Sequence, residues 1–548
     1  MAGVVLENLS WKKLIILSLI LLMLLITFFL IGGLQAPQPN NVNIIIGTKC
    51  YSRGRYVNRE KWHIPRGNKS ISCEKLDSLR PDDPKIISQE ITDKQVVFAF
   101  WIPGPRDGQE LKMHPRFQYM MSVLQLDIIY QPHNPVGLNP VMLLDFRLGY
   151  RNEGDREGDW KLLAESAEDR KLVCTISTNE KNETEPGSQY DCELLHAFEI
   201  SSLHHDYYLL NLRLPPSPEK NINIGQIDDI SLVTIHQNGG FTIIWFSIKT
   251  FMFPCVLIVL IWFWKRIQLM CRPPNLLERT LFALGITMSI LNLPIEWLTF
   301  WLNIPFMLLL NDIRQGAFYA MLLSFWIIFT GEHIMDQTER NRLKLYWKHL
   351  TAVIVGCVCL FVFEMCERGM QLKNPFYSIW SSEIGSKLAL AFIIIAAVAA
   401  TAYFLFLCVM IYRVFRNISA KKSSLPSMSH MRKKYYMGLI FRFKFLMLLT
   451  LFCAALTVVF FIISQLSEGQ WKWGDENLNL EYSSAFFTGV YGLWNVYIFG
   501  LLSLYAPSHK TASSAHADTD SQEEEVQLTN MPSELSTLQS FATKADQD

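Results

Sequence analysis

Tyr436-Met437-Gly438-Leu439 has the tyrosine-x-x-bulky-apolar form that clathrin adaptors read as an extended strand. Its phenol and its leucine side chain are the two groups that adaptor pockets take. A second chemistry belongs to Cys50, Cys73, Cys174 and Cys192, four of the eleven cysteines, all ahead of residue 240. Four cysteines allow three pairings. Cys50–Cys73 with Cys174–Cys192 closes two short loops and is the expected set of disulfides. No C-x-x-C pair or cysteine–histidine cluster has zinc spacing, so the other seven cysteines read as apolar filler. The triplet His204-His205-Asp206 offers metal-ligating groups, but adjacent residues on a strand point to opposite faces. Surface or strand-edge histidines are the simpler reading. No nucleotide loop, nucleophile motif or paired carboxylates at useful spacing occur. The chain reads as no enzyme and requires no cofactor or metal.

The elements that must position these groups are set by hydropathy. The chain has 548 residues, 50% of them hydrophobic and only 18% charged. Acids and bases balance at 50 each, which gives no reason to expect a nucleic-acid partner. Residues 14–34 carry no charge and are long enough to cross a ~30 Å hydrocarbon core at ~1.5 Å per residue. The apolar run exceeds that of a signal peptide and has no convincing cleavage site, so it reads as a retained anchor. Further spans fall near 243–264, 280–302, 314–334, 349–367, 386–413, 440–465 and 485–506, with a break expected at "NLPIEW" (292–297). The expected fold is a polytopic α-helical membrane protein of eight spans, one anchor plus a receptor-like seven-helix bundle, with an inserted luminal β-sandwich.

Orientation follows from the positive-inside bias. The alternate short loops carry Lys265, Arg266, Arg272 and Arg279, then Arg340, Arg342, Lys344 and Lys348. The third such loop is "RNISAKKSSLPSMSHMRKKYYMGLIFRFKF", with eight bases and no acid. All vote for a cytosolic side, which places both termini and Tyr436 in the cytosol. The expected domains are 1–13 cytosolic, 14–34 first span, 35–241 luminal β-sandwich, 242–506 bundle and 507–548 disordered cytosolic tail.

Residues 43–47, 95–102, 123–130, 141–150, 171–178, 206–214 and 230–236 are β-branched or aromatic runs separated by Gly, Pro, Asn and Asp. They read as strands of a sandwich. Sequons occur at Asn8, Asn68, Asn182 and Asn417, and the topology leaves Asn68 and Asn182 as glycosylation sites. Charged residues at span ends, among them Glu296, Glu332, His333, Glu364, Glu367, Arg442 and Lys444, read as interfacial anchors or local pairs. None of them is expected in mid-membrane, and the bundle interior is expected to be aromatic and free of charge.

Several long blocks resemble the Wntless family: "TIHQNGGFT" (234–242), "DIRQGAFYAMLLSFWIIFTGEHIMDQ" (312–337), "MCERGMQLKNPFYSIW" (365–380), "LIFRFKFLMLLTL" (439–451) and "LYAPSHK" (504–510). The likeness runs from "LENLS" to about residue 510. It implies a GOLD-like luminal domain, a seven-helix bundle and a cargo receptor for lipid-modified Wnt proteins. The partners implied are acylated Wnt proteins, a clathrin adaptor with the endosomal recycling machinery, and membrane lipids. The itinerary implied is endoplasmic reticulum, Golgi, plasma membrane and endosomes. The acyl chain is expected near Tyr319 and Leu323, one helical turn apart, with Phe361 and Phe363 at similar depth. The terminal "KADQD" departs from the "KEAQE"-type ending that returns some relatives to the endoplasmic reticulum, although Lys544 keeps its place. A seven-helix signalling receptor is the rival reading. A membrane O-acyltransferase is weaker still, for want of a mid-membrane histidine.

Overall fold

The computed structural model describes residues 5–8, 11–52, 60–81, 83–105, 109–176, 186–217, 220–270, 272–334, 341–423, 440–441, 444–453, 455–456, 459 and 484–507. Among them, seven helices are long and apolar enough to cross a membrane. We number the helices α1 (Trp11–Leu30), α2 (Gly239–Gln268), α3 (Leu276–Asn292), α4 (Met307–Ile334), α5 (Trp347–Gln371), α6 (Glu383–Ser423), α7 (Lys444–Cys453) and α8 (Ser484–Leu504). The helix α7 is the longest continuous described part of the expected span 440–465, most of the remainder of which lies outside the described residues. As the "NLPIEW" break implied, α3 stops at Asn292, and Ile295–Phe300 continues as a 3₁₀ turn behind Pro294. Proline lacks the N–H that would extend the α-helix.

Between α1 and α2 lies the β-sandwich. Its strands are β1 (Asn40–Ile46), β2 (Thr48–Tyr51), β3 (Glu74–Lys75), β4 (Val96–Ile102), β5 (Met120–Ile129), β6 (Val141–Arg151), β7 (Lys161–Lys171), β8 (Cys174–Ile176), β9 (Gln189–Cys192), β10 (Leu195–Ile200), β11 (Tyr207–Arg213) and β12 (Gln226–Gln237). One sheet runs β1-β12-β5-β9-β8, with β10 also on β5, and the other runs β3-β2-β4-β11-β6-β7. Alternate side chains of facing strands close the core: Leu124, Leu126 and Ile128 against Leu144, Phe146 and Leu148, with Phe100, Leu210 and Leu232. This is the period-2 pattern that marks a half-buried strand.

The strands β2, β3, β9 and β10 fall outside the expected runs, and two further stretches differ from expectation. The run 171–178 is split, because β7 ends at Lys171 and Leu172 drops into the core before β8 begins. β7 itself, "KLLAESAEDRK", has the composition of a helix and no apolar alternation. It forms because it is an edge: β6 supplies an antiparallel ladder from Val141↔Lys171 to Tyr150↔Lys161, interrupted by one bulge between Leu148 and Gly149. Its charges then guard the free side against further pairing. The disulfides are Cys50–Cys73 and Cys174–Cys192; the second joins residues in register across β8 and β9.

The strand-to-helix joint falls at Asn238, ahead of the 241/242 boundary expected from hydropathy. Asn238 caps α2 by accepting from the Gly240 N–H at 2.9 Å, and its own N–H donates to the Pro39 carbonyl at 2.8 Å. The start of β1 and the start of α2 are thereby laced together. α1 is part of the bundle and not a detached anchor. Phe28 and Phe29 lie over Gly492 and Gly489 of α8, and the Thr488 hydroxyl donates to the Phe28 carbonyl at 2.9 Å. Small residues let two membrane helices approach this closely. A β-carbon at Gly492 would overlap the Phe28 ring, whereas one at Gly316 meets nothing. Gly492→Ala should therefore lower the thermal midpoint of the solubilised full-length protein by about 2–4 °C, and Gly316→Ala should leave it unchanged or raise it.

Candidate functional site

The sandwich and the bundle meet through a loop that crosses from one to the other. α5 ends at Gln371, and the chain up to Ser382 rises into the sandwich before α6 begins. Phe376, carried by this loop, is fully buried in the sandwich core. Its ring stacks on Phe146 with centroids 5.0 Å apart and meets the edge of Phe198 at 6.3 Å. Its carbonyl accepts from Arg170 Nη2 at 2.5 Å, while Arg170 Nε donates to the His196 carbonyl at 2.9 Å. Burial pulls the Arg170 guanidinium below its usual range, and the carboxylates of Glu168 and Asp169 oppose that shift.

The loop's flanks are equally tied. Asn374 donates to Glu168 Oε1 at 2.8 Å, and the Glu199 N–H donates to the Pro375 carbonyl at 2.8 Å. Glu199 in turn pairs with Arg368 and accepts from Gln371 at 3.1 Å, both near the end of α5. Glu367 Oε2 receives the Ile379 N–H at 2.8 Å and pins the far side of the loop. Glu364 and Glu367, expected as interfacial anchors or local pairs, divide their roles: Glu364 lies 3.8 Å from Arg368, and Glu367 is buried. Two further bridges reach the 3₁₀ turn and the next loop: Gln118 Nε2 donates to Thr299 Oγ1 at 3.1 Å, and the Ser201 hydroxyl to the Pro305 carbonyl at 2.6 Å.

Inside the bundle the structure corrects the expectation of a charge-free interior. Glu296 Oε1 accepts from Lys249 Nζ at 2.6 Å and from Arg314 Nη2 at 2.9 Å, and all three side chains are buried. Glu296 is thus a paired interior group, not an interfacial anchor. Lys249 lies ten residues into α2, or ~15 Å along its axis. Its signal was available: it is the single charge between Phe241 and Trp264. Beside this cluster Tyr491 donates to Asn292 at 2.6 Å and Asn292 to Asn495 at 2.8 Å. Deeper in, Trp326 donates to Tyr497 at 2.8 Å, and Tyr497 meets the Thr450 hydroxyl at 3.1 Å.

Of the four expected lipid contacts, the bundle brings two together. Tyr319 and Leu323 lie half-buried on the inner face of α4, with Trp494 of α8 at 6.3 Å from the Tyr319 ring and Tyr403 of α6 donating to the Leu323 carbonyl at 2.9 Å. Phe361 is 49% exposed on the outer face of α5, and Phe363 is buried beneath the loop with Ile379 and Ala389. Two residues along a helix rotate a side chain by ~200°, so these phenylalanines cannot share a surface. Asn68 is exposed. Asn182, Tyr436 and Leu439, with Arg442, lie outside the described residues. Glu332 accepts from the Tyr346 hydroxyl at 2.9 Å, and Lys444 faces the Phe415 ring at 5.8 Å. In the sandwich, His205 stacks on Tyr150, and among the described residues no group of three His, Cys, Asp or Glu could hold a metal. A cavity of about 180 Å³ opens beside Asn41, Met113, Phe117 and His236, and burial pushes the His236 imidazole down to about 4.

A β-sandwich inserted between an N-terminal helix and a helical bundle, and bolted to that bundle through a shared core, defines a polytopic membrane protein with a seated extramembrane domain. Residues 48–237 match the family description "Wntless, GOLD domain", and residues 238–509 match "Wntless-like, transmembrane domain". The chain is 51% identical over 534 residues to the protein wntless homolog of Gallus gallus and 49% identical to that of Homo sapiens, with 96% of each chain covered. It is 46% identical to protein wntless of Drosophila grimshawi, with 99% of both chains covered. The chain belongs to the Wntless family.

The joint carries a measurable consequence. Phe376→Ala should lower stability by about 3–5 kcal/mol, the usual cost of emptying a buried aromatic site. Hydrogen exchange should rise in the loop after α5 and in β6 and β10, while α2 and α8 keep their protection. Phe376→Leu, which refills most of the volume, should recover the larger part.

Proposed function

We propose that this chain is a cargo receptor for lipid-modified Wnt proteins, holding the acyl chain within its helix bundle while the sandwich meets the Wnt polypeptide. The observation that supports this most is the family match across both the sandwich and the bundle at about half identity. The physical rationale is simple. A sixteen-carbon chain in water is unfavourable by roughly 0.8 kcal/mol per CH₂. A carrier that buries it removes the force holding Wnt in a bilayer. In this reading the sandwich is luminal, both termini are cytosolic, and Asn68 and Asn182 accept glycans. The carrier passes through the endoplasmic reticulum, Golgi, plasma membrane and endosomes. No chemistry is performed on the cargo.

We place the acyl chain along the inner face of α4 at Tyr319 and Leu323, with Phe361 and Phe363 on the two sides of α5 that flank its entry. Replacing the acylated serine of a Wnt partner with alanine should abolish co-purification with the full-length carrier. Leu323→Trp should fill the seam and reduce Wnt secretion at least tenfold, with the carrier still folded and glycosylated. Equal recovery of acylated and unacylated cargo, or undiminished secretion from Leu323→Trp, would refute the placement.

Retrieval is assigned to Tyr436 and Leu439, read by a clathrin adaptor on the basic cytosolic loop. Arg432, Lys433 and Lys434 would hold that loop to anionic headgroups at about 1 kcal/mol each. Tyr436→Ala should trap the carrier at the plasma membrane and slow uptake of a surface-bound antibody several-fold. Tyr435→Ala should do much less, because its register puts Gly438 where the apolar anchor belongs. Unchanged uptake in the Tyr436 variant would leave the tyrosine a membrane-interface residue only.

A further inference from the structure

The cluster of Lys249, Glu296 and Arg314 is not electrically complete. It holds two cations and one carboxylate, and the side chains are only 7%, 2% and 6% exposed. Among the described residues, Glu296 is the carboxylate within ion-pair range of either cation. Both use the same atom, Oε1. Arg314 Nη2 also donates to the Leu291 carbonyl at 2.8 Å, but among the described residues Arg314 Nε and Nη1 and Glu296 Oε2 meet no partner. The Trp245 ring, 5.5 Å from Lys249 Nζ, relieves the ammonium in part and does nothing for the guanidinium.

A lone buried charge costs several kcal/mol unless it is matched. A guanidinium with free N–H groups is the protein's preferred receptor for oxyanions, because its donors lie in a plane and attract negative oxygen strongly. The surroundings favour such a ligand. Leu298, Trp301, Leu302 and Phe306 are exposed on the sandwich side of the cluster. Trp301 is of the residue type that collects at the level of lipid headgroups. We propose that the unpaired N–H groups of Arg314 bind an oxyanion of the phosphate type, from a lipid headgroup or from solution, and that this ligand neutralises the cluster. Glu296 then serves as a shared counter-ion that sets the excess at one positive charge, enough to retain one monoanionic group.

The test uses the full-length protein in a phosphate-free maltoside detergent at constant ionic strength. Thermal midpoints are measured with inorganic phosphate, with phosphatidic acid and with uncharged diacylglycerol. At a tenfold excess over its dissociation constant, a bound oxyanion should raise the midpoint by about 1–2 °C, and diacylglycerol should not. A response to phosphatidic acid alone assigns the site to a lipid headgroup; a response to both assigns it to the phosphate group itself. Arg314→Met should remove the response. Glu296→Gln, which leaves two positive charges, should enlarge it. The surface variant Lys344→Met should leave it intact. Should Arg314→Met fail to fold, the wild-type response and its enlargement in Glu296→Gln still decide. Absence of any response in the wild-type protein would mean that the chain balances the charge itself, and would overturn the proposal. So would a response that persists undiminished in Arg314→Met.

Discussion

Phe376 belongs to the bundle by chain and to the sandwich by packing, and the relation of the two domains depends on it. Its ring is one of the core aromatics of the sandwich, stacked on Phe146 as a native strand residue would be. The loop that carries it cannot withdraw without opening a phenylalanine-sized cavity and stripping Arg170 of an acceptor. Either loss alone is a large fraction of the stability of a small domain. The remaining bridges, at Glu199, Gln118 and Ser201, are polar contacts nearer the rim. Individually they fix orientation more than they hold the domains together. Through this joint the sandwich is coupled to the ends of α5 and α6, two of the helices packed against α4.

The bundle's interior follows a different rule. In hydrocarbon the hydrophobic effect gives helices no reason to associate, so close packing and hydrogen bonds must do it. α1 and α8 use glycines. α3 and α8 use the Asn292–Asn495–Tyr491 chain, and α2, the 3₁₀ turn and α4 use the ion cluster at Glu296. Further from the sandwich, the Trp326–Tyr497–Thr450 set, the bond from Tyr403 to the Leu323 carbonyl and the bond from Tyr346 to Glu332 do the same work. Directional bonds thus specify helix positions at both ends of the bundle.

Much of this was legible in the sequence, and the limits are physical. Spans and strands announce themselves because their periodicity is a property of the chain. The helix α2 and strands β4, β6, β11 and β12 fall within a few residues of the runs read from composition. β7 was hidden because an edge strand made of Lys, Glu and Ala owes its conformation to β6, not to itself. Phe376 was hidden for a related reason. An isolated phenylalanine in a short loop reads as a membrane-interface residue, and only the tertiary fold brings Phe146 to it. Lys249 differs from both. A single lysine in an apolar helix states that a partner exists, and what the sequence withholds is which one. Arg314 and Glu296, placed at span ends by hydropathy, became its neighbours only when the Pro294 break folded the 3₁₀ turn back under the sandwich. Phe361 and Phe363 share a depth along α5 but stand on different faces of it, a distinction that depth alone does not carry.

The division between the rigid joint and the apolar seam bears on how a carrier of this build would hold and yield a lipid. Burial of a sixteen-carbon chain at roughly 0.8 kcal/mol per CH₂ amounts to about 12 kcal/mol against water, but nearly nothing against a bilayer, whose tails are as apolar as the seam. The acyl chain alone therefore cannot favour the carrier over the membrane beside it. In the proposed reading, preference would come from contacts that the bilayer lacks: polypeptide against the sandwich, and shape along α4. Those contacts add to the lipid term only if the sandwich and the seam stand at a fixed separation, so that engaging one places the other at high effective concentration. Phe376 and the Glu199–Arg368 pair supply that separation. Loosening the joint would then weaken cargo retention even where neither surface is altered, because two weak sites add only while their spacing is held.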